Sequence, residues 1–223
     1  MASRWVVDVM RMSGRRSTAT FCVLAVCLLA LLAGCGVGTL GAPPILPLDS
    51  ATPTTAETTT ALAQPPPYDR DRFGSGWIDA DGDGCDTRDE VLARDALGAT
   101  VGTDGCVDHV VIIDPYTGER VDGRGEIDID HVVALGDAHR SGAWRWTDTE
   151  REGFANDEVN LLATSDDENR AKSDDGPDQW RPPDRAGWCA YAHLYGEVKR
   201  TYGLAVTGAQ TAALAELSTR CGR

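Results

Sequence analysis

Residues 128–172 constrain the fold more than any other part of the chain. The stretch 126–133 alternates polar and apolar side chains through Glu126, Ile127, Asp128, Ile129 and Asp130, which is the period of a half-buried strand. Asp128 and Asp130 then share a face, and on strict alternation His131 points the other way. Asp130 and His131 can serve one site only if the strand ends or bulges there, so a break is expected at that point. The apolar run 159–163 is short and bounded by polar residues, as a partner strand would be. After it Ser165 can cap a helix, with Glu168 completing a capping box. On that helix Asn169 and Lys172 face the same way. Two strands and a helix thus converge a carboxylate, an imidazole, an amide and an ammonium.

A hard divalent cation takes oxygen ligands, and Mg2+ needs only one or two from the protein because it keeps waters and phosphate oxygens. Asp130 and the Asn169 amide oxygen suit such a sparse site, with Mn2+ as the second choice. His131 is left free as a general base, since an ordinary imidazole is largely neutral at pH 7. Each residue alone has a plainer reading. Asn160 ahead of Leu161 and Leu162 is also a turn residue, and Lys172 late in a helix also answers the dipole. Their order and spacing together are far more specific.

The sequence DIDHVVAL followed by NLLATSDDENRAKSD resembles the HNH endonuclease family, with Asn in place of the last His of that motif, as in the HNH domain of the RNA-guided CRISPR nuclease. The stretches CDTRDEVL, DPYTG and FANDEVNL are similar to small secreted HNH proteins of actinobacteria and, through them, to the C-terminal nuclease domain of GmrSD-type restriction enzymes. The resemblance covers residues 68–221. It implies an α+β domain with a ββα-metal (His-Me finger) core that hydrolyses phosphodiester bonds in nucleic acid, DNA first, leaving 3′-hydroxyl and 5′-phosphate ends. It makes His131 the base, Asp130 and Asn169 the metal ligands, and Asn160 the brace of the loop holding His131.

Charge points the other way. The chain carries a formal −14, and its leader is basic, so the acidity lies on the remainder. A nucleic-acid binder is expected to be basic, and weak, salt-sensitive substrate binding follows. Lys172, Arg170, Arg88 and Arg181 are the cations available to line a cleft. The rival reading is a catalytically inactive envelope lipoprotein that uses the fold for binding or structure.

Residues 1–35 hold Arg4, Arg11, Arg15 and Arg16 against Asp8, followed by an apolar run at 21–33. That run is too short to span a bilayer and suits a signal peptide. Its end, Leu32, Ala33, Gly34 and Cys35, is similar to a bacterial lipobox, which implies lipidation of Cys35 and a membrane anchor on the outer face. Met10 and Met12 are alternative starts. Residues 36–67, rich in Pro, Thr and Ala, read as a disordered tether. Residues 68–223 read as one monomeric domain, with Trp77, Trp144, Trp146, Trp180 and Trp188 supplying much of its core.

Export also fits the cysteines. Cys22 and Cys27 leave with the signal, so Cys85, Cys106, Cys189 and Cys221 remain, an even number for an oxidising compartment. Helical spacing over 185–202 and 207–220 with a short break predicts an antiparallel hairpin. Cys189 and Cys221 come level on it at the helical rise, so they pair, and Cys85 takes Cys106. A zinc site lacks its usual close cysteine spacing.

Asp79, Asp81, Asp83, Gly84 and Glu90 match an EF-hand calcium loop. The segment before it is glycine-rich rather than helical, and Thr87 with Glu90 forms a capping box that diverts Glu90 to a helix at 88–97. The expectation is therefore a turn and no Ca2+. A β-hairpin is expected at 109–114 and 119–121 around the turn 115–118, and short helices at 134–142 and 148–155. His109, His139 and His193 read as bystanders.

Overall fold

The computed structural model describes residues 64–219 and 221–222. The leader, Cys35 and residues 36–63 of the expected tether lie outside the described residues.

A single turn of 3-10 helix, Arg70–Phe73, leads to helix α1, Thr87–Asp95. Its N-cap is Asp86, whose carboxylate accepts from the Asp89 N–H. Thr87 does not cap, because its hydroxyl donates to the Ile78 carbonyl at 2.8 Å. Strands β1 (Gly98–Val101), β2 (Val107–Ile113) and β3 (Arg120–Asp122) form an antiparallel sheet in that order. The expected hairpin is β2 and β3, closed through Gly118 at φ +75°, where a left-handed backbone favours glycine. β1 is an additional strand.

A second, two-stranded sheet pairs β4, Ile127–His131, with β5, Leu161–Ser165, from Ile127 opposite Ser165 to His131 opposite Leu161. The register is unbroken, so the strand ends at His131 without bulging. It ends there because the Asn160 side chain takes the next backbone groups: its Oδ1 accepts from Val133 N–H at 2.8 Å and its Nδ2 donates to Val133 O at 3.1 Å. Between the two strands lie α2 (Leu135–Arg140) and α3 (Asp148–Ala155). α4, Asp166–Lys172, follows β5 directly, capped by Ser165. Only half of the expected capping box forms, because the Ser165 N–H that Glu168 would bond donates to Asp114 Oδ2 at 2.9 Å.

α1 closes over both sheets. Val91 and Leu92 pack with Val110 and Ile112 of β2, Ile129 of β4 and Leu161 of β5. This core is aliphatic, contrary to the expected tryptophan core. The five tryptophans are half-buried, as suits an indole that needs a partner for its N–H; Trp188 donates to Pro182 O at 2.8 Å. The fully buried rings are Tyr116, Tyr191, Tyr195, Phe73 and Phe154.

α5 (Trp188–Thr201) and α6 (Gly208–Ser218) form the C-terminal hairpin, and a disulfide joins Cys189 to Cys221 with Cα atoms 5.1 Å apart. A second joins Cys85 to Cys106 at 5.4 Å. The fold is a disulfide-bonded mixed α+β domain. No helix among the described residues is long and apolar enough to cross a membrane.

Candidate active site

The end of β4 places Asp130 and His131 beside the first turns of chain that follow it. Asp130 is buried, and both of its carboxylate oxygens are engaged. Oδ2 accepts from the Tyr116 hydroxyl at 2.6 Å and Oδ1 from Lys172 Nζ at 2.8 Å. Burial pushes this carboxyl above the usual range, while Lys172 and the Tyr116 hydrogen bond pull it down. Lys172 Nζ also donates to the His131 carbonyl at 2.8 Å, tying α4 to the strand end.

His131 stacks on Trp77, with ring centroids 5.6 Å apart and planes 17° from parallel. Its Nε2 lies 2.8 Å from the Ala155 carbonyl. A carbonyl only accepts, so Nε2 carries the proton and Nδ1 is the bare, proton-accepting nitrogen. Burial lowers the pKa of His131 to about 4; the Ala155 bond opposes that, and Arg70 and Lys172 add to it. The ring is neutral at pH 7. Asn160, fully buried, clamps the loop just after it, and its own carbonyl accepts from Val132 N–H at 2.8 Å.

Asn169 Nδ2 donates to Asp128 Oδ2 at 3.2 Å. Because only the amide NH2 can face a carboxylate as donor, its oxygen is turned away. Asn169, Asp130 and His131 line one cleft of about 440 Å³, together with Tyr68, Arg70 and Asp174. The residue types fit a hard divalent cation: Asp130 and Asn169 both line the cleft, and each Asp130 oxygen keeps a lone pair beyond its present bond.

The cations expected to meet substrate are placed elsewhere. Lys172 is wholly buried on Asp130, because that carboxylate needs a counter-charge once desolvated. Arg88 donates to the backbone carbonyls of Arg124 and Ile127, at 3.2 and 2.6 Å. Arg170 is exposed and holds Asp166 and Asp167, both at 2.6 Å. Arg181 pairs with Glu216 at 2.8 Å. None of the four lines the cleft. Sequence reasoning missed Tyr116, Trp77 and Arg70. The DPYTG stretch was the available signal for Tyr116; the other two had none.

The carboxylates of Asp79, Asp81 and Asp83 can each bring an oxygen within 4.8 Å of the others, and all three residues are exposed. They bond their own loop: Asp79 accepts from the N–H groups of Gly82 and Gly84, Asp81 from that of Asp83, and Asp83 from that of Cys85. Asp86 caps α1, so the expected Thr87–Glu90 capping box does not form and Glu90 is not diverted to the helix terminus. His139, read as a bystander, has its Nε2 2.8 Å from the Pro66 carbonyl and so holds the segment that carries Arg70.

Residues 86–217 match the family model for the C-terminal domain of GmrSD restriction endonucleases. A relative in Arthroderma benhamiae, described as an uncharacterized secreted protein, is 38% identical over 183 residues, covering 80% of this chain and 89% of that protein. No solved structure matches the chain.

Proposed function

The chain belongs to the family of GmrSD restriction endonuclease C-terminal domains, and from that premise we propose that it is a divalent-metal-dependent endonuclease that hydrolyses phosphodiester bonds in nucleic acid, DNA first. The observation that carries this reading is the fixed tautomer of His131, whose Nε2–H is committed to Ala155 O and whose Nδ1 is left to accept a proton inside a cleft.

In this reading Nδ1 takes a proton from water, and the water oxygen attacks phosphorus in line with the departing 3′ oxygen, which leaves the 5′-phosphate as an oxyanion and takes a proton from solvent to become the 3′-hydroxyl, while the imidazolium returns its proton to solvent. Trp77 and the Ala155 carbonyl hold the ring against rotation while Asn160 holds the backbone behind it. An imidazole with a pKa of about 4 is a weak base, and the negative charge of an entering phosphodiester raises it toward its task. Lys172 keeps Asp130 ionised despite its burial. Mg2+ or Mn2+ held by Asp130 and Asn169 would supply Lewis-acid stabilisation of charge on the phosphoryl group and leaving oxygen. A ββα-metal core is the arrangement this implies for β4, β5 and α4.

Export belongs to the same proposal and is supported by the secreted relative. The Cys35 anchor rests on the lipobox-like residues alone. The inactive-lipoprotein alternative gains from Lys172 already neutralising Asp130, yet it gives no reason for a bare imidazole nitrogen in the same cleft. Supercoiled plasmid incubated with metal-stripped protein decides the matter. Relaxation is expected on adding Mg2+ or Mn2+, and neither EDTA-treated protein nor His131→Ala should produce it; an intact plasmid with wild-type protein under both metals rejects the proposal.

A further inference from the structure

We propose that Arg70 is the residue that grips a backbone phosphate of the nucleic acid in this cleft, an assignment that rests on the nuclease reading above. The cations that sequence position favoured are spent on carbonyls and carboxylates. Arg70 is exposed, lines the cleft with Asp130, His131 and Asn169, and takes part in none of the ion pairs among the described residues. Its guanidinium lies beside the Tyr68 hydroxyl, and it is close enough to His131 to lower that ring's proton affinity. The two carboxylates at the cleft already have counter-charges, Asp130 in Lys172 and Asp174 in Arg140.

The segment that carries Arg70 is anchored on both sides. Pro66 O faces His139 Nε2 at 2.8 Å, and the Tyr68 ring meets His139 edge-on at 5.6 Å. On the far side Arg72 pairs with Asp148 at 2.9 Å, Arg151 Nε donates to Arg72 O at 3.3 Å, and Phe73 is buried. The backbone on either side of Arg70 is therefore set before substrate arrives, which lowers the ordering cost of a contact. A planar guanidinium with paired donors matches a phosphate better than an ammonium does. The segment precedes residue 86, where the family match begins. The cation that complements an acidic domain thus comes from a part of the chain outside that match.

The test is binding of a fluorescein-labelled DNA oligonucleotide to the full chain carrying His131→Ala, read by anisotropy across a salt series in Mg2+. Adding Arg70→Gln should weaken binding about tenfold and flatten the slope of log affinity against log salt by about 0.7–0.9, the share of one phosphate contact. Arg70→Lys should keep the slope and lose part of the affinity, and Arg200→Gln, on α5 away from the cleft, should change neither. Thermal melts of the variants should coincide. Unchanged affinity and slope in Arg70→Gln overturns the assignment, even if wild-type protein cleaves plasmid. Binding through Arg70 without cleavage by wild type upholds the assignment and rejects the hydrolytic reading. No binding by the parent rejects both.

Discussion

Two buried aspartates sit at the two ends of the short connection between β4 and α2, and each is held by a lysine and a tyrosine. Asp130 takes Lys172 at 2.8 Å and Tyr116 at 2.6 Å; Asp137 takes Lys199 at 2.8 Å and Tyr195 at 2.6 Å. The chemistry is the same, and the surroundings are not. Asp137 also accepts from Gln210 Nε2 at 3.2 Å and Ser141 Oγ at 3.3 Å, so α2, α5 and α6 meet on a carboxylate with little capacity left. Asp130 has two donors only, a cleft beside it and a bare imidazole on the next residue. Burial raises the Asp130 carboxyl and lowers the Lys199 ammonium, so both triads cost desolvation. What separates a structural tie from a candidate site is unsaturated oxygen capacity with access, and neither is visible in residue type.

The largest effect that would break this comparison is on stability. Asp137→Ala strands the Lys199 ammonium and Asp130→Ala strands that of Lys172, and leaving a buried charge unpaired costs about 3–5 kcal/mol. Urea unfolding should show comparable losses for both. A loss below about 1 kcal/mol in either variant would show that its lysine escapes to water.

Next in size is His131→Ala. Loss of a positioned base should slow cleavage by about 10²–10⁴, or roughly 3–5 kcal/mol of barrier. Its stability should fall by about 2–4 kcal/mol, because a buried ring stacked on Trp77 is removed along with its hydrogen bond. Metal affinity should hold, and rescue of this variant by excess Mg2+ would make His131 a ligand instead.

Asn169→Ala sharpens the open triad further. Part of its lost activity should return at raised Mg2+ or Mn2+, measured as a shifted metal optimum; an unshifted optimum removes Asn169 from the metal site. The smallest effect belongs to the exposed carboxylates. Asp81→Asn with Asp83→Asn should leave the melting temperature unresponsive to Ca2+, as in wild type. A wild-type melting temperature that climbs with Ca2+, and no longer does in the double variant, would restore the calcium reading.

Much of the candidate site and of the C-terminal hairpin was legible because their residues sit on regular elements. Alternation placed Asp128 and Asp130 together, helical spacing placed Asn169 beside Lys172, and helical rise brought Cys189 level with Cys221. The partners set by tertiary contact were not legible. Lys172 looked like a surface lysine until Asp130 was seen to be buried, and Tyr116 reaches Asp130 from the hairpin turn. Competition for backbone groups also misled local rules: Ile78 takes the Thr87 hydroxyl and Asp114 takes the Ser165 N–H, so each expected capping box failed or formed by half. β1, exposed throughout, has no alternation to detect. Arg70 is remote from the motif in sequence and reaches the cleft only because His139 and Arg151 hold its segment there.

The central claim is that the open triad works on substrate and the closed one only holds the fold. Plasmid cleavage by Asp130→Asn and Asp137→Asn, each normalised to its folded fraction, tests it most directly. Asp137→Asn should cleave at close to the wild-type rate. Asp130→Asn should fall by at least the roughly 10- to 100-fold that losing even a supporting partner costs a metal site. Equal rates in the two variants, whether both near wild type or both lost, would contradict the account.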